Sequence, residues 1–246
     1  MEVLNKICQT VLSYYQDSAS VYSTPRQLMF QHSRLSIAQN DPQFIRSTYK
    51  EIQLENIVNV DLISNSLSCI QTEYKKTDGY YRDVFGIICA ENEWKIVCLL
   101  TSVTPQRFSS IRVNQTDQVR EISELLLRYC HDVYRMDAED CLSLFQQGAR
   151  MYHPNEDGSF TDVDIQVLRQ RWENMPDPVE CGVVEFSRIY HIELLGPDVA
   201  VAKIGCAKLY QYFNDYLWLM KLNNEWKIVN KMTQCLYDSK KQADRG

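Results

Sequence analysis

Histidine is scarce in this sequence, with four in 246 residues, and none of the nine cysteines forms a C-x-x-C pair. That removes the spacing expected of structural zinc. An odd number of cysteines cannot all pair within one chain, so Cys8, Cys69, Cys89, Cys98, Cys130, Cys141, Cys181, Cys206 and Cys235 read mostly as reduced, buried small apolar residues. Glycine (8) and proline (7) are sparse and 45% of residues are hydrophobic, which excludes disordered, collagen-like and disulfide-scaffold chains. No apolar run approaches the roughly 20 residues that span a bilayer. The amphipathic start MEVLNKICQTVLSYYQD has no signal-peptide core, so a cytoplasmic location with no membrane partner is expected. Positive charge is also short: the formal net charge is -6, and nucleic acid is not an expected partner. No glycine-rich phosphate loop, nucleophile elbow or H-E-x-x-H is present, and no metal or cofactor is expected.

What the sequence does contain is an internal echo. GIICAENEWKIVCLL (86–100) and WLMKLNNEWKIVNKM (218–232) share EWKIV at an offset of 132 residues, and Asp83 maps onto Asp215 at the same offset. A second block matches at an offset of 115, with TVLSYYQD (10–17) on LLLRYCHD (125–132) and MFQHSRL (29–35) on LFQQGAR (144–150). The copies therefore differ by 17 residues inserted between the blocks. Domains are expected at 1–104 and 118–238, joined through the polar stretch TPQRFSSIRVNQTDQV. Residues 1–116 hold 11 basic and 11 acidic groups, which places the whole net charge on the second copy.

Each copy reads helices first and sheet last. Ile122, Leu125, Leu126, Tyr129, Val133 and Met136 form one apolar stripe on a helix predicted over about 119–136. Asp137 suits the cap of a short second helix. Thr161-x-x-Asp164 has the form of a capping box and predicts a third helix through Trp172. Four strands are predicted over 182–195, 198–210, 213–222 and 225–236, with Asn223-Asn224 as a tight turn. In the first copy Asp41-Pro42 marks a helix start. The order argues for an α+β fold, helices packed on one face of a sheet. In DYLWLMKL both alternating sets are apolar, so both sheet faces should be covered, and an intramolecular pseudo-dimer packed sheet against sheet is expected.

The second copy's FQQGARMYHPNEDGSFTDVDIQVL, FSRIYHIELLGPDVAVAKI and FNDYLWLMKLNNEWKIVNK resemble the nuclear transport factor 2-like superfamily, closest to its lumazine-binding, polyketide cyclase-like branch. The resemblance implies two tandem cone-shaped α+β domains, each with N-terminal helices on a curved mixed or antiparallel sheet, the first copy degenerate. Laid on the superfamily's steroid isomerases, it puts Tyr129 at the helix tyrosine, His153 at the base before a proline, and Asp215 near the late-strand acid. A phenol, an imidazole and a carboxyl form a coherent acid–base trio. Read as residues, Tyr129 fits the helix core, His153 a polar loop and Asp215 a strand end. Trp172 and Leu217 are candidate ligand-binding residues, Trp172 as an aromatic wall or plain core. HPNEDGSFTDVD lacks the first and last ligands of a calcium loop.

Three functions follow as expectations. The first is binding of a small apolar or aromatic molecule in the second copy's cone. The second is a cofactor-free isomerase or dehydratase using His153 as base, and the third a protein-interaction module without ligand. The chain is expected to be a monomeric pseudo-dimer or a homodimer.

Overall fold

The computed structural model describes residues 26–31, 34–38, 54–62, 65–77, 79–104, 115–173 and 175–238, besides Lys6 and Thr10. It is an α+β chain that divides into two compact units. One comprises Met1–Ile111 with Pro154–Phe160, the other Arg112–His153 with Thr161–Gly246. The Asp41-Pro42 helix start lies outside the described residues.

The amino-terminal unit holds a six-stranded sheet of β1 (Arg26–Gln31), β2 (Arg34–Ala38), β3 (Leu54–Leu62), β4 (Leu67–Lys76), β5 (Gly79–Ala90) and β6 (Glu93–Thr104), in the order β2-β1-β6-β5-β4-β3. Only β1 and β6 run parallel among its pairs. Its strands carry a core of Ile70, Tyr74, Tyr81, Phe85, Ile87, Trp94, Ile96 and Leu99.

The carboxy-terminal unit opens with α1 (Gln115–Arg135), continues with α2 (Ala138–Ser143), β7 (Phe145–Pro154), β8 (Phe160–Asp164) and α3 (Val167–Trp172), and ends in β9 (Ser187–Leu194), β10 (Val199–Lys208), β11 (Gln211–Leu222) and β12 (Glu225–Asp238). The sheet order β8-β7-β12-β11-β10-β9 repeats that of the first unit strand for strand. The α1 stripe forms as its spacing predicts: Ile122, Leu126, Tyr129, Cys130 and Val133 are buried, while Leu127 on the far side is exposed. Asp137 caps α2, its side chain accepting from the Asp140 amide at 3.0 Å.

Two expectations fail locally. Thr161–Asp164 belongs to strand β8, not to a helix: Phe160–Asp164 joins β7 in the sheet, and the Asp164 carboxylate accepts from the Gln166 amide at 2.9 Å, so it holds the turn before a one-and-a-half-turn α3. The strand predicted from 182 begins only at Ser187, because Cys181 and Gly182 close turns onto Asp177 and Val179. β7 itself carries no alternation clean enough to read in advance; Gly148, at φ 73, accommodates the shift of register against β12.

Cross-strand partners share a face. Ile204, Asp215 and Thr233 form one row across β10, β11 and β12; Ala202, Leu217 and Lys231 form the next. This is the face on which α1 packs, and with Met151, Ala200, Cys206, Leu219 and Ile228 it makes the unit's core. From Asp215 to Met220 every residue of β11 is buried, so both faces of that strand are covered, as its double apolar pattern requires.

Candidate functional site

Tyr129 projects from the middle of α1 onto the row that contains Asp215. Its hydroxyl donates to Asp215 Oδ2 at 2.7 Å. Lys231, one row away on β12, puts its ammonium 2.9 Å from the same oxygen and also donates to the Tyr129 hydroxyl. The Cys206 thiol adds a weak fourth contact at 3.6 Å. Tyr129 and Asp215 have 0% of their surface exposed and Lys231 7%, so this is a closed charged triad inside an apolar core. Phe145 meets the Tyr129 ring edge-on, centroids 5.9 Å apart, and the Lys231 ammonium sits 5.2 Å from that ring's centroid.

The electrostatics follow from burial. Desolvation, then the Asp215 charge, push the Tyr129 phenol well above its ordinary range, so it stays a neutral donor. For Lys231 burial opposes the ammonium most strongly, yet Asp215 together with its smaller partners outweighs it, and the lysine is held charged beyond its ordinary range. Burial pushes the neighbouring Cys141 thiol up to about 12. A hydrogen bond with Cys130, then burial, push Cys206 well above its ordinary value. These thiols are not nucleophiles.

One oxygen of the triad is unused. Asp215 Oδ1 is buried with no hydrogen-bond partner among the described residues, and so is Thr233 Oγ1 beside it in the same row. Trp172, at the end of α3, is buried in the same core, and its Nε1 likewise has no acceptor. Towards the strand ends the packing opens. Phe213 and Lys208 are half-buried there, with the Lys208 ammonium 5.9 Å from the Trp172 ring centroid and 5.8 Å from that of Phe213.

The fold thus brings Tyr129 and Asp215 together and places Leu217, fully buried, in the next row. Trp172 lies in the same core beside Lys208. His153 is not joined to this group: it stands half-buried at the end of β7, and the polar contacts of Asp215 go to Tyr129, Lys231 and Cys206. The sequence reading missed Lys231 and Lys208. For Lys231 the signal was available, because the 132-residue offset lays it on Leu99, a core residue of the other copy.

A separate open groove of about 470 Å³ runs between α1 and the β11–β12 turn, with Glu121, Glu124, Arg128, Trp226 and Lys227 on its walls. Glu121 there accepts from Lys221 at 2.7 Å and from Trp226 Nε1 at 3.1 Å, which lowers its pKa. Among the described residues no cluster of three metal-ligating side chains occurs, and no helix is long and apolar enough to cross a membrane.

A six-stranded mixed sheet backed by α1, with a polar group on its helix-packed face, defines the class: an α+β domain. A family model described as "Putative lumazine-binding" matches residues 117–234. Among solved structures the chain is similar to a nuclear transport factor 2-like protein of unknown function from Shewanella baltica (22% identity over 50% of this chain and 98% of that one, TM-score 0.45). It is also similar to a ketosteroid isomerase-like protein from Erwinia carotovora (11% identity, 49% and 97%, TM-score 0.38) and to a cystatin-like protein of unknown function from Nostoc punctiforme (16% identity, 51% and 95%, TM-score 0.37). No curated protein matches the chain.

Proposed function

We propose that the carboxy-terminal unit binds a small, largely aromatic molecule at the outer end of its helix-packed face, with the amino-terminal copy as scaffold. The observation that carries this reading is the buried, unpartnered Trp172 Nε1 at the open end of that face, beside the half-buried Lys208 and Phe213. A buried donor left unsatisfied costs on the order of 1–3 kcal/mol, which is a reason for a ligand that offers an acceptor. The floor around Tyr129 and Leu217 is packed, so the ligand is placed above it, between Trp172 and Phe213. The free, buried cysteines support a reducing, cytoplasmic setting.

The isomerase alternative draws less support. It needs a late-strand acid that donates a proton to an oxyanion, whereas Asp215 accepts from both Tyr129 and Lys231. The interaction-module alternative is favoured by one observation, the exposed Val179, Val184, Phe186 and Tyr190 leading into edge strand β9. If that reading holds, replacing Val184 and Phe186 by Ser releases a partner or a second copy in sedimentation runs.

The primary test titrates the full chain with 2-naphthol by calorimetry. Saturable one-site binding is expected, and Cys206→Tyr, which imports the bulk that Tyr74 has in the other copy, should abolish it. No saturable binding by a folded wild-type chain ends the reading.

A further inference from the structure

Lys208 is a half-buried cation whose surroundings are aromatic and positive. Its ammonium lies 5.9 Å from the Trp172 ring centroid and 5.8 Å from that of Phe213. Burial, then Lys231 from β12 and Arg171 from α3, all work against its charge, with only the Cys206 and Cys235 thiols acting the other way. Asp215, the carboxylate deepest on this face, is already engaged by Lys231 and Tyr129. Among the described residues no carboxylate pairs with Lys208. Contacts with ring faces return to a desolvated ammonium less than its lost hydration requires.

We propose that Lys208, seated between Trp172 and Phe213, is the anion-recognition group of this face and that the ligand is a small aromatic carboxylate. The inference rests on the ligand-binding reading above and adds the ligand's charge to it. A carboxylate oxygen meets the ammonium in a charge-assisted hydrogen bond. The Trp172 indole N–H, a buried donor without an acceptor, is the second donor for the same group. Two rings flanking one cation suit a planar ligand body. Lys231 is neutralised by Asp215, which leaves Lys208, with Arg171 of α3 adding to the positive field, to meet the carboxylate.

The test compares 2-naphthoate with its neutral isostere 2-naphthamide on the full chain by calorimetry at neutral pH. Wild type should bind the naphthoate at least about tenfold more tightly. Lys208→Met should erase that preference, so that naphthoate and naphthamide bind with equal affinity, and Lys208→Arg, which retains the charge, should keep it. Equal affinity for the two probes in wild type, or a preference that survives Lys208→Met, overturns the anion site while 2-naphthol binding leaves the ligand-binding reading standing. If 2-naphthol, naphthoate and naphthamide all fail to bind, both fall together.

Discussion

Two aspartates 132 residues apart occupy the same place in two sheets of the same strand order and are handled differently. Asp83 pairs with Thr101 across β5 and β6, and the Thr101 hydroxyl donates to it at 2.6 Å; the next row is Phe85 and Leu99. Asp215 pairs with Thr233 across β11 and β12, but that hydroxyl is left unpartnered, and Lys231, in place of Leu99, takes the carboxylate together with Tyr129. Bulk differs too. Ile70, Tyr74, Tyr81 and Phe85 stand where the carboxy-terminal unit has Ala202, Cys206, Phe213 and Leu217. The amino-terminal face is filled by aromatic side chains, with Tyr74 stacked on Tyr81 at 5.1 Å. The carboxy-terminal face has smaller side chains and more charge. The lesson is that one register supports either a plain core or a polar core, and that a few residues on three strands decide which.

The sharpest way to break the comparison is Lys231→Leu, which gives the second unit the first unit's residue. It strands Asp215 without its cation, and removing one partner of a buried ion pair costs about 3–5 kcal/mol. Denaturant unfolding of the full chain at neutral pH should show that loss. A loss below about 1 kcal/mol would mean that Thr233 turns to Asp215 as Thr101 does to Asp83, and that the two arrangements are interchangeable.

Tyr129→Phe comes next. It deletes a hydrogen bond to a charged group, worth about 2 kcal/mol, while keeping the ring against Phe145. It also changes the alkaline limb. The phenol's pKa is raised in the folded chain, so its contribution is fully present below the ordinary tyrosine range and is lost as pH climbs through and beyond it. The Cys141 thiol, raised to about 12, acts in the same direction from its ordinary range upward. Wild type should therefore lose stability steadily on the alkaline side, and Tyr129→Phe should lose less there than at neutral pH. An alkaline slope identical in the two proteins would show that Tyr129 does not carry it.

Much of this pattern was open to reading before any coordinates. The EWKIV echo, the Asp83–Asp215 match, the α1 stripe and the Asp137 cap rest on local spacing, and spacing survives in a bare sequence. Lys231 did not stand out because a lysine in WKIVNKM reads as a solvated strand residue; its place on the core face follows a register shift between Ile228 and Asn230, present against both β11 and β7, that local spacing does not show. Thr161-x-x-Asp164 misled because a threonine and an aspartate serve turns and strands as readily as helix caps. Charge placed by long-range pairing, as at Lys208 between α3 and β11, has no local signature at all.

The smallest expected effect sharpens the comparison at its most conserved-looking point, the hairpin turn. Both copies turn with two consecutive residues at positive φ: Glu91 and Asn92 at 55° and 65°, Asn223 and Asn224 at 50° and 66°. Asparagine tolerates that region, since its short side chain bonds locally, whereas glutamate pays the Cβ clash in full. The Glu91–Lys95 ion pair at 3.0 Å is exposed on the glutamate side, and such pairs return little. Glu91→Asn should therefore stabilise the amino-terminal unit by about 0.5 kcal/mol, read as a small rise in its unfolding midpoint, whereas Asn223→Glu should lower stability by a similar amount. If both substitutions were neutral, backbone strain would not distinguish the two turns, and the difference between the copies would lie wholly in the cores on their sheets.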